Sequence, residues 1–88
     1  MPRSPVTPEQ LALGTQVRTA RKNAGIAQER LAMIAGLDRA YVGEIERGRA
    51  NPSLKTMWKL ARAIGVHPRQ FLADDPEDYA ARASEFTD

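Results

Sequence analysis

Leu13, Val17, Ala20 and Ala24 recur at steps of four, three and four, which lays one apolar stripe along a helix over about residues 8–23. Its start is marked by Thr7-Pro8-Glu9-Gln10: a threonine cap, proline in the first turn and a glutamine to close a capping box. Asn23 and Gly25 end it, and Arg18, Arg21 and Lys22 crowd the last turns, where cations suit the helix dipole. A second helix follows over residues 28–35, with Leu31, Ala32 and either Ile34 or Ala35 inward, and Gly36 to stop it. Ala27 is a weak cap that forgoes about 1 kcal/mol against serine or threonine. Leu37 tucks the following turn into the core. Asp38 caps a third helix running to about Arg47, with Gly48 behind it and Tyr41, Val42, Ile45 and Glu46 on its inward or lateral face. After a turn at Arg49-Ala50-Asn51-Pro52, Ser53 caps a fourth, whose Leu54, Met57, Leu60, Ala61 and Ile64 form a broad core stripe ending at Gly65, with Trp58 beside it. Val66 returns to the core, and His67-Pro68 opens a short fifth helix whose Phe71 and Leu72 close the bundle. The expected fold is an all-α, five-helix bundle over residues 8–72, behind a flexible arm at 1–7 and ahead of a tail at 73–88. In the tail only a marginal helix from about Pro76 is expected, with Tyr79, Ala83 and Phe86 on one side.

Eighty-eight residues make one small domain, and 42% hydrophobic with 27% charged residues suits a packed core rather than a disordered chain. The absence of cysteine removes disulfides, thiolate zinc sites and cysteine nucleophiles. No apolar run reaches the length of a membrane span or a signal-peptide core, so a soluble cytoplasmic protein is the expectation. The net charge of +2 hides an asymmetry: residues 1–72 carry twelve Lys/Arg against five acids, whereas residues 73–88 carry one Arg against six acids. A basic body with an acidic extension suits binding to a polyanion, the extension being solvated or facing a partner.

The second and third helices have the spacing of a helix-turn-helix: small Ala32 where two helices touch, Gly36 at the turn, Val42 and Ile45 as the inner stripe. The outer side of the third helix, Arg39, Ala40, Gly43 and Glu44, is short or polar, as a helix laid in a DNA groove requires. The major groove admits such a helix, and each base pair presents its own donor and acceptor pattern there. Arg39 can fork two hydrogen bonds onto a guanine, or else meet a phosphate or a neighbouring acid. Glu44 can accept from a cytosine amino group, or only orient Arg39 or Arg47. Ala40 either meets a thymine methyl or is small enough for close approach. The amino end of the second helix favours an anion, and Gln28 adds a side-chain amide there. Lys22, Arg47 and Arg49 read either as phosphate contacts or as solvated cations, as does Arg3 in the arm. Tyr41 reads as a half-buried wall whose hydroxyl can reach a phosphate. His67 has no second imidazole or thiolate near it and reads as a cap or surface group rather than a metal ligand. Asp74, Asp75, Glu77 and Asp78 read as a solvated run. No nucleophile and base constellation appears, so neither catalysis nor a cofactor is expected.

Residues 15–72 resemble the phage-repressor and Cro-like helix-turn-helix regulators, the xenobiotic-response-element type. The likeness rests on Val17-Arg18, Arg21-Lys22, Gly25-Ile26-Ala27-Gln28, Leu31-Ala32, Ala35-Gly36, Tyr41-Val42, Ile45-Glu46-Arg47-Gly48, Pro52-Ser53-Leu54 and Leu60-Ala61. Within that type, Leu37-Asp38-Arg39-Ala40-Tyr41-Val42 is most similar to controller proteins of restriction–modification systems. The resemblance implies a lambda-repressor-like bundle in which Gln28 fastens the second helix to a phosphate and Arg39, Ala40, Gly43 and Glu44 face base edges. It further implies that Arg47, Arg49 and Asn51 clamp phosphates behind the third helix, and that Arg21 and Glu46 form a structural salt bridge. Ala27 in place of the usual serine or threonine, and Gly43 in place of a larger residue, depart from the pattern. A single module of this size binds DNA modestly, whereas a two-fold pair reads an inverted repeat with half-sites one helical turn apart. Trp58, Val66, Phe71, Tyr79 and Phe86 are the candidate dimer surface, with completion of the monomer core the favoured role for Phe71. The expected function is sequence-specific binding of double-stranded DNA as a homodimeric transcriptional regulator. The alternatives are an antitoxin or accessory regulator whose tail binds a protein partner, and an interaction module that has lost DNA binding.

Overall fold

The computed structural model describes residues 6–72. The outer part of the expected arm and the whole tail, including Tyr79 and Phe86, lie outside the described residues. Within them the chain forms four α-helices, α1 (Pro8–Asn23), α2 (Gln28–Ala35), α3 (Arg39–Glu46) and α4 (Leu54–Ile64), followed by a 3-10 turn over Pro68–Phe71. The expected fifth helix is therefore a single 3-10 turn. Pro68 starts it with His67 as its cap, but the backbone is already extended at Leu72, so too few residues remain to close α-helical bonds. That early exit also turns Leu72 outward, 64% exposed, while Phe71 alone closes the bundle at 0%.

Local chemistry explains where the helices begin. Thr7 accepts from Gln10 N and donates its own N–H to Gln10 Oε1 in a complete capping box; Asp38 caps Ala40 and Ser53 caps Thr56. Ala27 makes no side-chain cap bond, which leaves the first amides of α2 without one. At the turn between α2 and α3, Gly36 adopts φ +71°, and Leu37 N–H reaches back to Ala32 O at 2.8 Å. The chain thus turns within two residues, and Asp38 starts the next helix at once.

Val17, Leu31, Val42, Ile45, Leu60 and Phe71 are fully buried, so every element contributes to one core. Ala35 rather than Ile34 faces it. Leu54 does not join it: at the first position of α4 it stays exposed, and burial is confined to Leu60, Ala61 and Ile64 farther along, with Met57 half-buried. Ala24 likewise stays outside, because α1 has ended at Asn23 and Ala24 caps it.

Two buried residues of α1 had no helical-stripe signal to mark them, Ala12 and Gly14. Gly14 lies where the end of α3 meets α1: a Cβ there would overlap the Ile45 carbonyl oxygen and stand 2.7 Å from that of Glu46. Both obstacles are backbone, so only a shift of one helix would relieve them. Gly14→Ala is therefore expected to destabilise the fold by about 1–3 kcal/mol, although alanine is the better helix former by about 1 kcal/mol. Thermal unfolding of the variant checks this, and a raised midpoint would show that α1 and α3 separate without cost.

Candidate nucleic-acid interface

α3 has two unlike faces. Val42, Ile45 and Glu46 are buried against the body, while Arg39 and Ala40 at its start are exposed and Glu44 is partly so. Tyr41 stands at the boundary, half-buried and packed on the core. The helix has only eight residues with a glycine inside, so packing of the inner face, not propensity, holds it.

The inner face is anchored by a buried charge network. Arg21 Nε donates to Glu46 Oε2 at 2.7 Å and Arg21 Nη2 to Glu46 Oε1 at 3.1 Å, while Arg21 Nη1 donates to the Ile26 carbonyl at 2.8 Å. This fork joins the end of α1 to the end of α3 and to the segment entering α2. Gln28 belongs to the same network: its Nε2 donates to Glu46 Oε1 at 3.0 Å. Its side-chain amide is thus turned inward, which the reading of Gln28 as an outward anchor did not anticipate. The backbone amides at this end of α2 have no side-chain cap. Among the described residues no buried side-chain nitrogen or oxygen lacks a partner.

On the outer face a second cluster forms around Glu44. Arg47 Nη2 donates to Glu44 Oε2 at 3.2 Å, and Arg49 Nη1 stands 3.7 Å from the same oxygen. Of the roles open to Glu44, orienting Arg47 is the one seen in the free protein. Gly43 departs from the expectation of a solvent-facing reader: it is buried, covered by the Arg47 side chain. Arg39, Lys22 and Asn51 are exposed and belong to neither cluster.

Of the candidate dimer residues, Trp58, Val66 and Phe71 are described. Phe71 is withdrawn by its complete burial. Val66 is half-buried, and Trp58 is engaged at the surface, with the Arg62 guanidinium 5.3 Å from its ring centre and the His67 ring against it edge-on. His67 Nδ1 accepts from Arg69 N at 3.0 Å as the cap of the final turn. Among the described residues no helix is long and apolar enough to cross a membrane.

A short two-helix unit with a glycine turn, one face locked into a bundle and the other polar, defines a helix-turn-helix domain. Residues 17–71 match the helix-turn-helix family, in its xenobiotic-response-element branch, and the chain belongs to that family of DNA-binding transcriptional regulators. It is similar to the control protein C.BamHI of Bacillus amyloliquefaciens, 40% identical over 63 residues that span 70% of this chain and 78% of that protein. It is 43% identical over 65 residues to a hypothetical transcription factor of Neisseria meningitidis, spanning 74% of this chain but 61% of the relative. Among solved structures, the restriction–modification controller protein C.AhdI from Aeromonas hydrophila superposes with a TM-score of 0.73 at 41% identity, over 75% of this chain and all of that one.

Proposed function

We propose that the chain works as a non-catalytic homodimer that reads an inverted-repeat operator, each copy placing α3 in a major groove. The observation that carries this reading is the two-sidedness of α3: its inner face is fixed by Val42, Ile45 and the buried Glu46, which leaves Arg39 and Ala40 presented outward on a rigid mount. Arg39 follows the Asp38 cap directly, so it projects from the leading end of α3, where a fork onto guanine O6 and N7 is within its chemistry. Phosphates are held by the uncapped amides and Gln28 at the start of α2, by Lys22 and Tyr41, and by Arg49 and Asn51 in the loop behind α3. These contacts position the domain without reading sequence. Of the candidate dimer surface, Trp58 and Val66 are the described residues that remain. Such a regulator acts where the chromosome is, in the cytoplasm.

Selection of bound duplexes from a random pool, with binding then measured across a salt series, tests the proposal. A two-fold symmetric consensus is expected, together with a negative slope of log affinity against log salt of about 0.9 per phosphate contacted. Arg39→Ala should relax preference at one base step in each half-site at a cost of about 1–3 kcal/mol, whereas Arg49→Ala should weaken all sequences alike. Equal losses on selected and random DNA for Arg39→Ala would remove it as a reader. Salt-independent association, or none, would favour an interaction module instead.

A further inference from the structure

Gly43 lies on the outer stripe of α3, one turn from Arg39 on one side and from Arg47 on the other, and yet it is buried. What covers it is the Arg47 guanidinium. A Cβ at position 43 would lie 3.2 Å from Nη2, 3.4 Å from Nη1 and 3.6 Å from Cζ of Arg47, so the group lies across this position rather than touching it with one end. Side chains on a helix lean toward its amino end, which carries the guanidinium back over the preceding turn. It is then held on a second side by Glu44 Oε2, at 3.2 Å from Nη2. The same carboxylate oxygen is 3.7 Å from Arg49 Nη1, so this one acid is shared by two cations and the group of three keeps a net positive charge.

We infer that Gly43 and Glu44 are positioning residues that hold Arg47 on the DNA-facing surface of α3, as a second sequence-determining side chain beside Arg39. This rests on the proposed reading of α3 as the helix that enters the groove. An arginine that served only as a phosphate clamp in the loop would need neither a bare backbone beneath its guanidinium nor an acid beside it. Here both are present, and both act to bring the charged end level with the middle of the helix. One helical turn separates Gly43 from Arg39, about 6 Å along the axis. The base pairs of a duplex follow one another at about 3.4 Å. The seat of Arg47 over Gly43 is therefore displaced along α3 from the Arg39 backbone by a length comparable to two base steps. With Nη2 engaged by Glu44, Nη1 and Nε keep donors for a base edge. The open position left by the missing side chain at 43 is thus filled by a reader from one turn away.

The test compares full-length Gly43→Ala, Arg47→Ala and the double variant in selection from a random duplex pool, followed by titration of matched and mismatched sites at one salt concentration. A methyl at 43 meets only the movable end of Arg47, so Gly43→Ala should keep its helical signal and unfold at or above the parent temperature. Each single variant should lose preference at the same base step by about tenfold to a hundredfold, and the double variant should lose no more than either. Uniform weakening of all duplexes by Arg47→Ala, unchanged preference in Gly43→Ala, or additive losses in the double variant would each overturn the role of Arg47. If the parent chain itself selects no sequence, the reading of α3 as a recognition helix fails, and this assignment with it.

Discussion

Glu46→Ala is expected to remove about 3–5 kcal/mol of folding stability, a large part of the roughly 5–15 kcal/mol that holds a small domain together. The Glu46 side chain is 2% exposed and that of Arg21 11%, so deleting the carboxylate strands a guanidinium where water has little access. Arg21 would keep the Ile26 carbonyl but lose the acceptors of both its Nε and its Nη2, and Gln28 would lose its partner as well. Urea unfolding of the variant measures the loss. A shift below about 1 kcal/mol would mean the pair behaves like an exposed one. A further arm separates the cost of breaking the pair from its net worth. Replacing both groups together by apolar residues of similar volume, Arg21→Met with Glu46→Leu, should recover most of the stability, because no charge is then left buried alone. In that double variant base preference should be retained, since neither group belongs to the outer face of α3.

How much of this was legible beforehand depends on how local each interaction is. The caps Thr7, Asp38 and Ser53 bond backbone amides two or three residues away, so the sequence around them carries the whole cause. The turn at Gly36 is equally local. A periodic stripe, in contrast, says which side of a helix is apolar and not how far along it the neighbours reach. Leu54 is exposed for that reason, and Leu72 because the final turn ends one residue before it. Gly14 carried no sign at all, since its constraint is the approach of a helix end more than thirty residues away. Arg21 and Glu46 are 25 residues apart, and only the family resemblance joined them. On the outer face the stripe of Arg39, Ala40, Gly43 and Glu44 was legible as geometry. The seat of Arg47 over Gly43 and the inward turn of Gln28 were not, because each depends on which partner a long side chain chooses.

Phe71→Ala should cost about 3–5 kcal/mol, even though the residue sits in a four-residue turn at the end of the described chain. The turn is a plug: Phe71 is fully buried and Pro68 beside it is buried too, while Gln16 Nε2 on α1 donates to the Gln70 carbonyl at 3.2 Å. α1 and α4 both pack on this turn, and α2 packs on α4, so the bundle that carries the helix-turn-helix unit depends on it for stability. Removing the ring leaves a cavity that the fully buried Leu60 and Val17 on those helices cannot collapse to fill without moving a whole helix. Denaturant titration should show a lower midpoint with an unchanged slope, the mark of lost stability rather than of a changed unfolded state. Leu72→Ala, one residue on and largely exposed, should stay within about 0.5 kcal/mol of the parent. A small loss at Phe71, or comparable losses at both positions, would make the turn an appendage, and the bundle would then have to be held by its four helices alone. If the plug is needed, operator affinity in Phe71→Ala should fall in step with the folded fraction while base preference stays that of the parent. That pattern separates a residue that supports the reading helix from those that do the reading.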